Sequence, residues 1–146
     1  MCQEVKQKCV CGQHEVQFHL RDNIMAPEVI DHLYCPDCAD KAQKNDTLLE
    51  DNGWIISYDM EIARMFAITK LQIDPAIVNP EFIFDGGYAT WREMYPGETR
   101  DITKERNEII ATKDDDPQGY LEKIRSWNVE RIERLKQTGW RKALQA

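Results

Sequence analysis

Apolar positions alternate with polar ones from His14 to Leu20, where Val16, Phe18 and Leu20 share one face, and this period of two predicts a half-buried strand. Val29–Tyr34 is β-rich enough for a second strand, although Asp31 breaks its alternation. Arg21-Asp22-Asn23 offers a turn between the two, and Pro27 punctuates the return path. Ala39-Asp40-Lys41-Ala42 looks like a first helical turn, and Asn52-Gly53 is a strong stop.

The period then changes. Ser57 is placed to cap a helix from about Tyr58 to Leu71, with Ile62, Met65, Phe66 and Thr69 on one stripe and Asp74-Pro75 ending it. Residues 74–100 are rich in breakers, yet Tyr88, Trp91, Arg92 and Tyr95 fall at helical spacing and suggest a short helix. Ile102, Arg106, Ile109 and Ile110 suggest another. The clearest helix comes last. Asp116 is a good N-cap, Pro117 suits the first helical position, and Tyr120, Leu121, Ile124, Trp127, Ile132 and Leu135 form a stripe until Gly139. Asn128 and Arg131 interrupt that stripe, so Arg131 should pair with an acid in 74–118 or reach a partner.

These elements predict an α+β chain: a metal-binding module at 1–45 built on a two-stranded hairpin, then a mainly helical domain at 46–146. With 146 residues, 42% of them apolar, a packed core is possible without a cofactor. The longest near-continuous apolar run, Trp54–Tyr58, is far short of the roughly 20 residues that span a bilayer. The N-terminus lacks the apolar stretch of a secretory signal, so a cytoplasmic location is expected. The net charge of −7 disfavours a polyanionic partner. Charge is nonetheless uneven: residues 74–118 carry eleven acids against five bases, and 120–146 three against seven.

The chemistry lies in the cysteines, the last of which is Cys38. Cys9 and Cys11 form a C-x-C-G pair, and Cys35 and Cys38 form a C-P-x-C pair. The spacer between the pairs is long enough for two strands and a turn, which the strand reading supplies. Close pairs each supply two thiolates from one tight turn, and four thiolates suit tetrahedral zinc. A disulfide scaffold would instead spread its cysteines along a secreted chain. The expected ligands are therefore Cys9, Cys11, Cys35 and Cys38 around one Zn2+ per chain, with His14 an alternative to Cys9 and Cys2 left over. His19 and His32 are expected to lie exposed or just outside the ligand shell.

Residues from Cys9 to about Lys44 resemble the zinc-ribbon and treble-clef class of modules, with the departure that the first pair is C-x-C. That resemblance implies a metal clamped by two knuckles and completed by a β-hairpin or helix; it implies no single activity. Iron is the alternative metal, since rubredoxin-like Fe(Cys)4 electron carriers use Cys-Pro-x-Cys knuckles. They usually place glycine after each pair, whereas Ala39 stands here, which favours zinc.

All three histidines also precede residue 40, so the remainder cannot build a Cys–His pair or a Ser–His–Asp triad alone, and phosphate-binding glycine motifs are absent. Four cysteines would close a zinc site to substrate. The expectation is a non-catalytic zinc protein acting as an interaction module or accessory subunit of a larger complex, with a protein partner and no small-molecule substrate. Tyr88, Trp91, Tyr95, Trp127 and Arg131 are the candidate partner-binding residues, because aromatic and arginine side chains dominate interface energetics. A transcription-associated ribbon would instead use Lys123, Arg125, Arg131, Arg134, Lys136, Arg141 and Lys142 on nucleic acid, against the overall charge.

Overall fold

Six strands form two antiparallel three-stranded sheets in the computed structural model, which describes residues 2–145. The first sheet has the order β1-β2-β6, where β1 is Gln3–Lys8, β2 is Glu15–Leu20 and β6 is Ala89–Trp91. The second has the order β3-β5-β4, where β3 is Ile30–Tyr34, β4 is Leu48–Asp51 and β5 is Trp54–Tyr58. The alternation in β2 does bury Val16, Phe18 and Leu20.

The two strands expected to form a hairpin do not pair. Both edges of β2 are taken, by β1 and by β6, while β3 pairs with β5. The connection between them holds two short 3-10 turns, Arg21–Asn23 and Pro27–Val29, with Asp22 and Asn23 at positive φ. These carry the chain across to the second sheet.

Asn52-Gly53 is a hairpin turn between two strands. Asp51 faces Trp54 across it, and Asn52 and Gly53 sit at φ 47° and 93°, as a two-residue type I′ turn requires. Ser57 lies inside β5, paired with Leu48 and His32, and caps no helix. Asp59 takes that role, accepting from the amides of Glu61 and Ile62 at 3.1 and 3.2 Å. The helix it starts, α1 (Met60–Phe66), buries Met60 and Ala63 and runs into a π-helical stretch, Ala67–Leu71. Met65, expected on its apolar stripe, is more than half exposed.

Tyr88–Tyr95 is not a helix. Ala89–Trp91 is strand β6, and all three of its residues are buried. The helix of this segment, α2 (Pro80–Asp85), comes earlier, with Asn79 accepting from the Phe82 amide at 2.7 Å and Pro80 at its first position. Phe18, Leu20, Leu33, Ile56, Tyr58, Phe84 and Trp91 belong to one apolar cluster, to which both sheets and α2 contribute.

The chain divides into two compact units, Met1–Arg92 and Glu93–Ala146. The expected boundary at 45/46 falls inside the first, because β3 precedes it and its sheet partners β4 and β5 follow it. The second unit is helical: α3 (Glu98–Ile110), α4 (Pro117–Thr138) and α5 (Arg141–Gln145). Asp116 caps α4 through the Gly119 amide at 3.1 Å, and Gly139 ends it at φ 91°, as the sequence pattern predicts. The protein is thus mixed α and β, with strands in its N-terminal region and a helical C-terminal part. Among the described residues no helix is long and apolar enough to cross a membrane.

Candidate metal centre

Cys9 follows directly on β1, and the chain turns sharply after it. The Gly12 amide donates to the Cys9 carbonyl at 2.8 Å, and Gly12 takes φ 74°, a conformation side-chain-bearing residues rarely adopt. The Cys9 amide donates to the His14 carbonyl, also at 2.8 Å, closing the loop between β1 and β2. Cys35 follows β3, and the Cys38 amide donates to its carbonyl at 2.9 Å, forming the second turn. A parallel bridge between Cys9 and Leu33, with the Val10 amide donating to the Leu33 carbonyl at 3.1 Å, holds the loops side by side. Each cysteine pair therefore leaves the end of a strand, which fixes where its sulfurs point.

The four Sγ atoms of Cys9, Cys11, Cys35 and Cys38 all lie within 4.8 Å of one another, a cluster that could bind a metal ion. A zinc ion with four bonds of about 2.3 Å would hold its sulfurs ~3.8 Å apart, so closure asks for adjustments of an ångström or less. Cys9, Cys35 and Cys38 are buried and Cys11 is exposed. Trp54 and Tyr34 cover the buried sulfurs. All five cysteines are free thiols.

Local electrostatics divides the thiols. Burial pushes Cys9 up, but the amides of Cys11 and Cys35, the latter 3.1 Å from its sulfur, outweigh this and bring it down to about 7. Burial, and then the Cys9 sulfur, push Cys35 up. Burial followed by the crowded sulfurs of Cys35, Cys9 and Cys11 pushes Cys38 up to about 12. Four thiolates at this spacing would repel one another, a repulsion that protons on Cys35 and Cys38 or a bound cation would relieve.

His14 is not in the four-sulfur cluster; its ring nitrogen forms a separate group with the Cys35 sulfur and the Asp37 carboxylate, again within 4.8 Å. Among the described residues His19 and His32 join neither group, and His32 Nδ1 sits 3.0 Å from Asp31. Cys2 lies apart, its sulfur 3.7 Å from the Asp22 carboxylate.

The candidate partner-binding residues are scattered. Trp91 is fully buried in the first unit, its indole N–H donating to the buried Asp51 carboxylate at 2.7 Å, so it is a core residue. Tyr88 stacks on Phe82 at 5.2 Å and lies beneath the Arg21 guanidinium. In the helical unit Tyr95 stacks on Trp140 at 5.1 Å and its hydroxyl donates to Asp101 at 3.0 Å. Trp127 donates to Glu105 at 2.7 Å, and Arg131 lies 5.7 Å over its ring. Arg131 is also ion-paired with Glu98, so of the two roles its place in the stripe suggested, pairing with an acid in 74–118 is the one observed. Sequence reasoning did not find Trp54 as a cover for the sulfurs or Asp37 as a neighbour of His14. The position of Asp37 inside the C-P-D-C turn was the available signal for the second.

No family model matches the chain, nor does any curated protein or solved structure. Its site defines it as a protein with a four-cysteine cluster able to hold a metal ion.

Proposed function

We propose that the protein is a non-catalytic zinc protein holding one Zn2+ per chain through Cys9, Cys11, Cys35 and Cys38, and that it serves a larger assembly as an interaction module or accessory subunit. The observation that carries the zinc assignment is the convergence of four sulfurs, from two turns well separated in sequence, within 4.8 Å. Four thiolates fill a tetrahedral ion and leave no position for substrate, which supports a structural role over a catalytic one. The assembly role rests on the helical unit as the docking part, where the aromatic side chains of Tyr95 and Trp127 are half-buried. Nucleic acid is a weaker reading of that unit, because Arg131 and Arg134 are engaged by Glu98 and Glu105.

The test is the metal content and visible absorption of the protein purified from its native host. A colourless protein with one zinc per chain supports the proposal, and a coloured one with one iron per chain identifies an Fe(Cys)4 electron carrier. Protein that co-purifies with it and is lost when the helical unit is deleted supports the assembly role; recovery of the intact chain alone opposes it.

A further inference from the structure

Two features of the metal centre are not used by four-sulfur coordination. His14 lies on the loop that supplies Cys9 and Cys11, and Asp37 lies inside the turn that supplies Cys35 and Cys38. The two turns that gather the sulfurs thus also gather an imidazole and a carboxylate, with ligating atoms within 4.8 Å of each other and of the Cys35 sulfur. Both side chains are exposed, and among the described residues neither makes a side-chain hydrogen bond or ion pair within the protein. Their ligating atoms are therefore available. The His14 ring meets the Trp54 ring in a T-shaped contact, at 6.0 Å between centroids and 80° between planes.

We infer that His14, Asp37 and the Cys35 sulfur form a second, outer site for a borderline divalent cation such as Zn2+, in which Cys35 bridges the inner and outer ions. This rests on the four-thiolate reading, because the bridging sulfur must already be a metal-bound thiolate. Four thiolates around one divalent ion leave a net charge of about −2, and the Asp37 carboxylate adds to it, so a cation beside Cys35 is attracted where an anion is repelled. Nitrogen, oxygen and sulfur donors together suit zinc or cobalt better than magnesium or calcium, which prefer oxygen alone. Only three protein atoms serve the outer ion, so water completes its shell, and it binds more weakly and exchanges faster than the inner one.

The experiment is equilibrium dialysis of the reduced, metal-free full chain against increasing free Zn2+, with bound metal measured per chain. Two equivalents are expected, one tight and one weak. The H14A and D37N variants should each keep the tight equivalent and lose the weak one, and H32A, which alters the other exposed His–Asp pair, should keep both. Saturation at one equivalent overturns the outer site and leaves the four-cysteine reading standing. A weak equivalent that survives in H14A and D37N also overturns it, since that ion would lie elsewhere. Failure to bind any tight equivalent overturns the four-cysteine reading and the outer site with it.

Discussion

The indole N–H of Trp91 donates a hydrogen bond to the carboxylate of Asp51 at 2.7 Å, and both residues are almost completely shielded from solvent. Trp91 sits at the end of β6 in the first sheet and Asp51 at the end of β4 in the second, so this bond links the two sheets, as does the Tyr58 hydroxyl donating to the Ala89 carbonyl at 2.6 Å. Replacing Trp91 with Phe removes a donor from a buried carboxylate and shrinks a filled core position. Urea denaturation should show a loss of about 2 kcal/mol or more. A change below about 0.5 kcal/mol would mean that the bond does not contribute to stability.

Arg131 and Glu98 form the corresponding link in the helical unit, with side chains 20% and 10% exposed. Glu98 also accepts from the Met94 amide at 2.7 Å. Glu98→Ala strands a largely shielded guanidinium, and its cost should be roughly 2–3 kcal/mol, read by thermal denaturation. Removing the arginine and its ring partner together, in Arg131→Ala/Trp127→Ala, should loosen the packing of α3 on α4. Retention of wild-type helicity and melting by that double variant would show that these residues do not hold the helix pair together.

Acid should weaken the same helix pair. Hydrogen bonds from Arg134, at 3.0 Å to each oxygen, and then from Trp127 hold Glu105 below the usual carboxylate range. A carboxylate depressed in the folded state contributes stability that is complete above its unfolded pKa of ~4.3 and is lost as pH falls through its folded value. Circular dichroism of the wild type should therefore show helix loosening below about pH 4. In Glu105→Gln this acid step should shrink. An unchanged step would place its origin in another carboxylate.

The four-cysteine cluster was the most legible part of the sequence, because paired cysteines mark a candidate ligand set through their spacing. The final helix was equally readable, since Asp116, Pro117 and Gly139 mark its ends by local chemistry. Strand pairing was not. Whether β2 faces β3 or β6 depends on contacts between residues as distant in sequence as Phe18 and Trp91, and no local signal in Val29–Tyr34 reports its partner. Tyr88, Trp91 and Tyr95 matched a helical period by spacing, but Ala89-Thr90-Trp91 is set by the buried edge of β2, and tertiary burial overrode the periodicity.

Zinc uptake should be reversed by acid. Cys35 and Cys38 are pushed upward in the metal-free state, so they carry protons at neutral pH and must give them up to the incoming ion. Apparent zinc affinity should therefore fall as pH falls from about 8 to about 6, measured by competition with a chromophoric chelator. A flat profile would mean that these thiols are not the ligands.

Elemental analysis of the wild-type protein beside Cys35→Ser shows whether the four clustered cysteines hold one metal ion. Cys35 is the buried cysteine shared by the sulfur cluster and the His14–Asp37 group, so its loss should remove the metal outright and lower the melting temperature of the first unit. About one tightly bound zinc per chain in the wild type and essentially none in Cys35→Ser is the predicted result. A Cys35→Ser protein that keeps the full wild-type metal content and melting curve would contradict it.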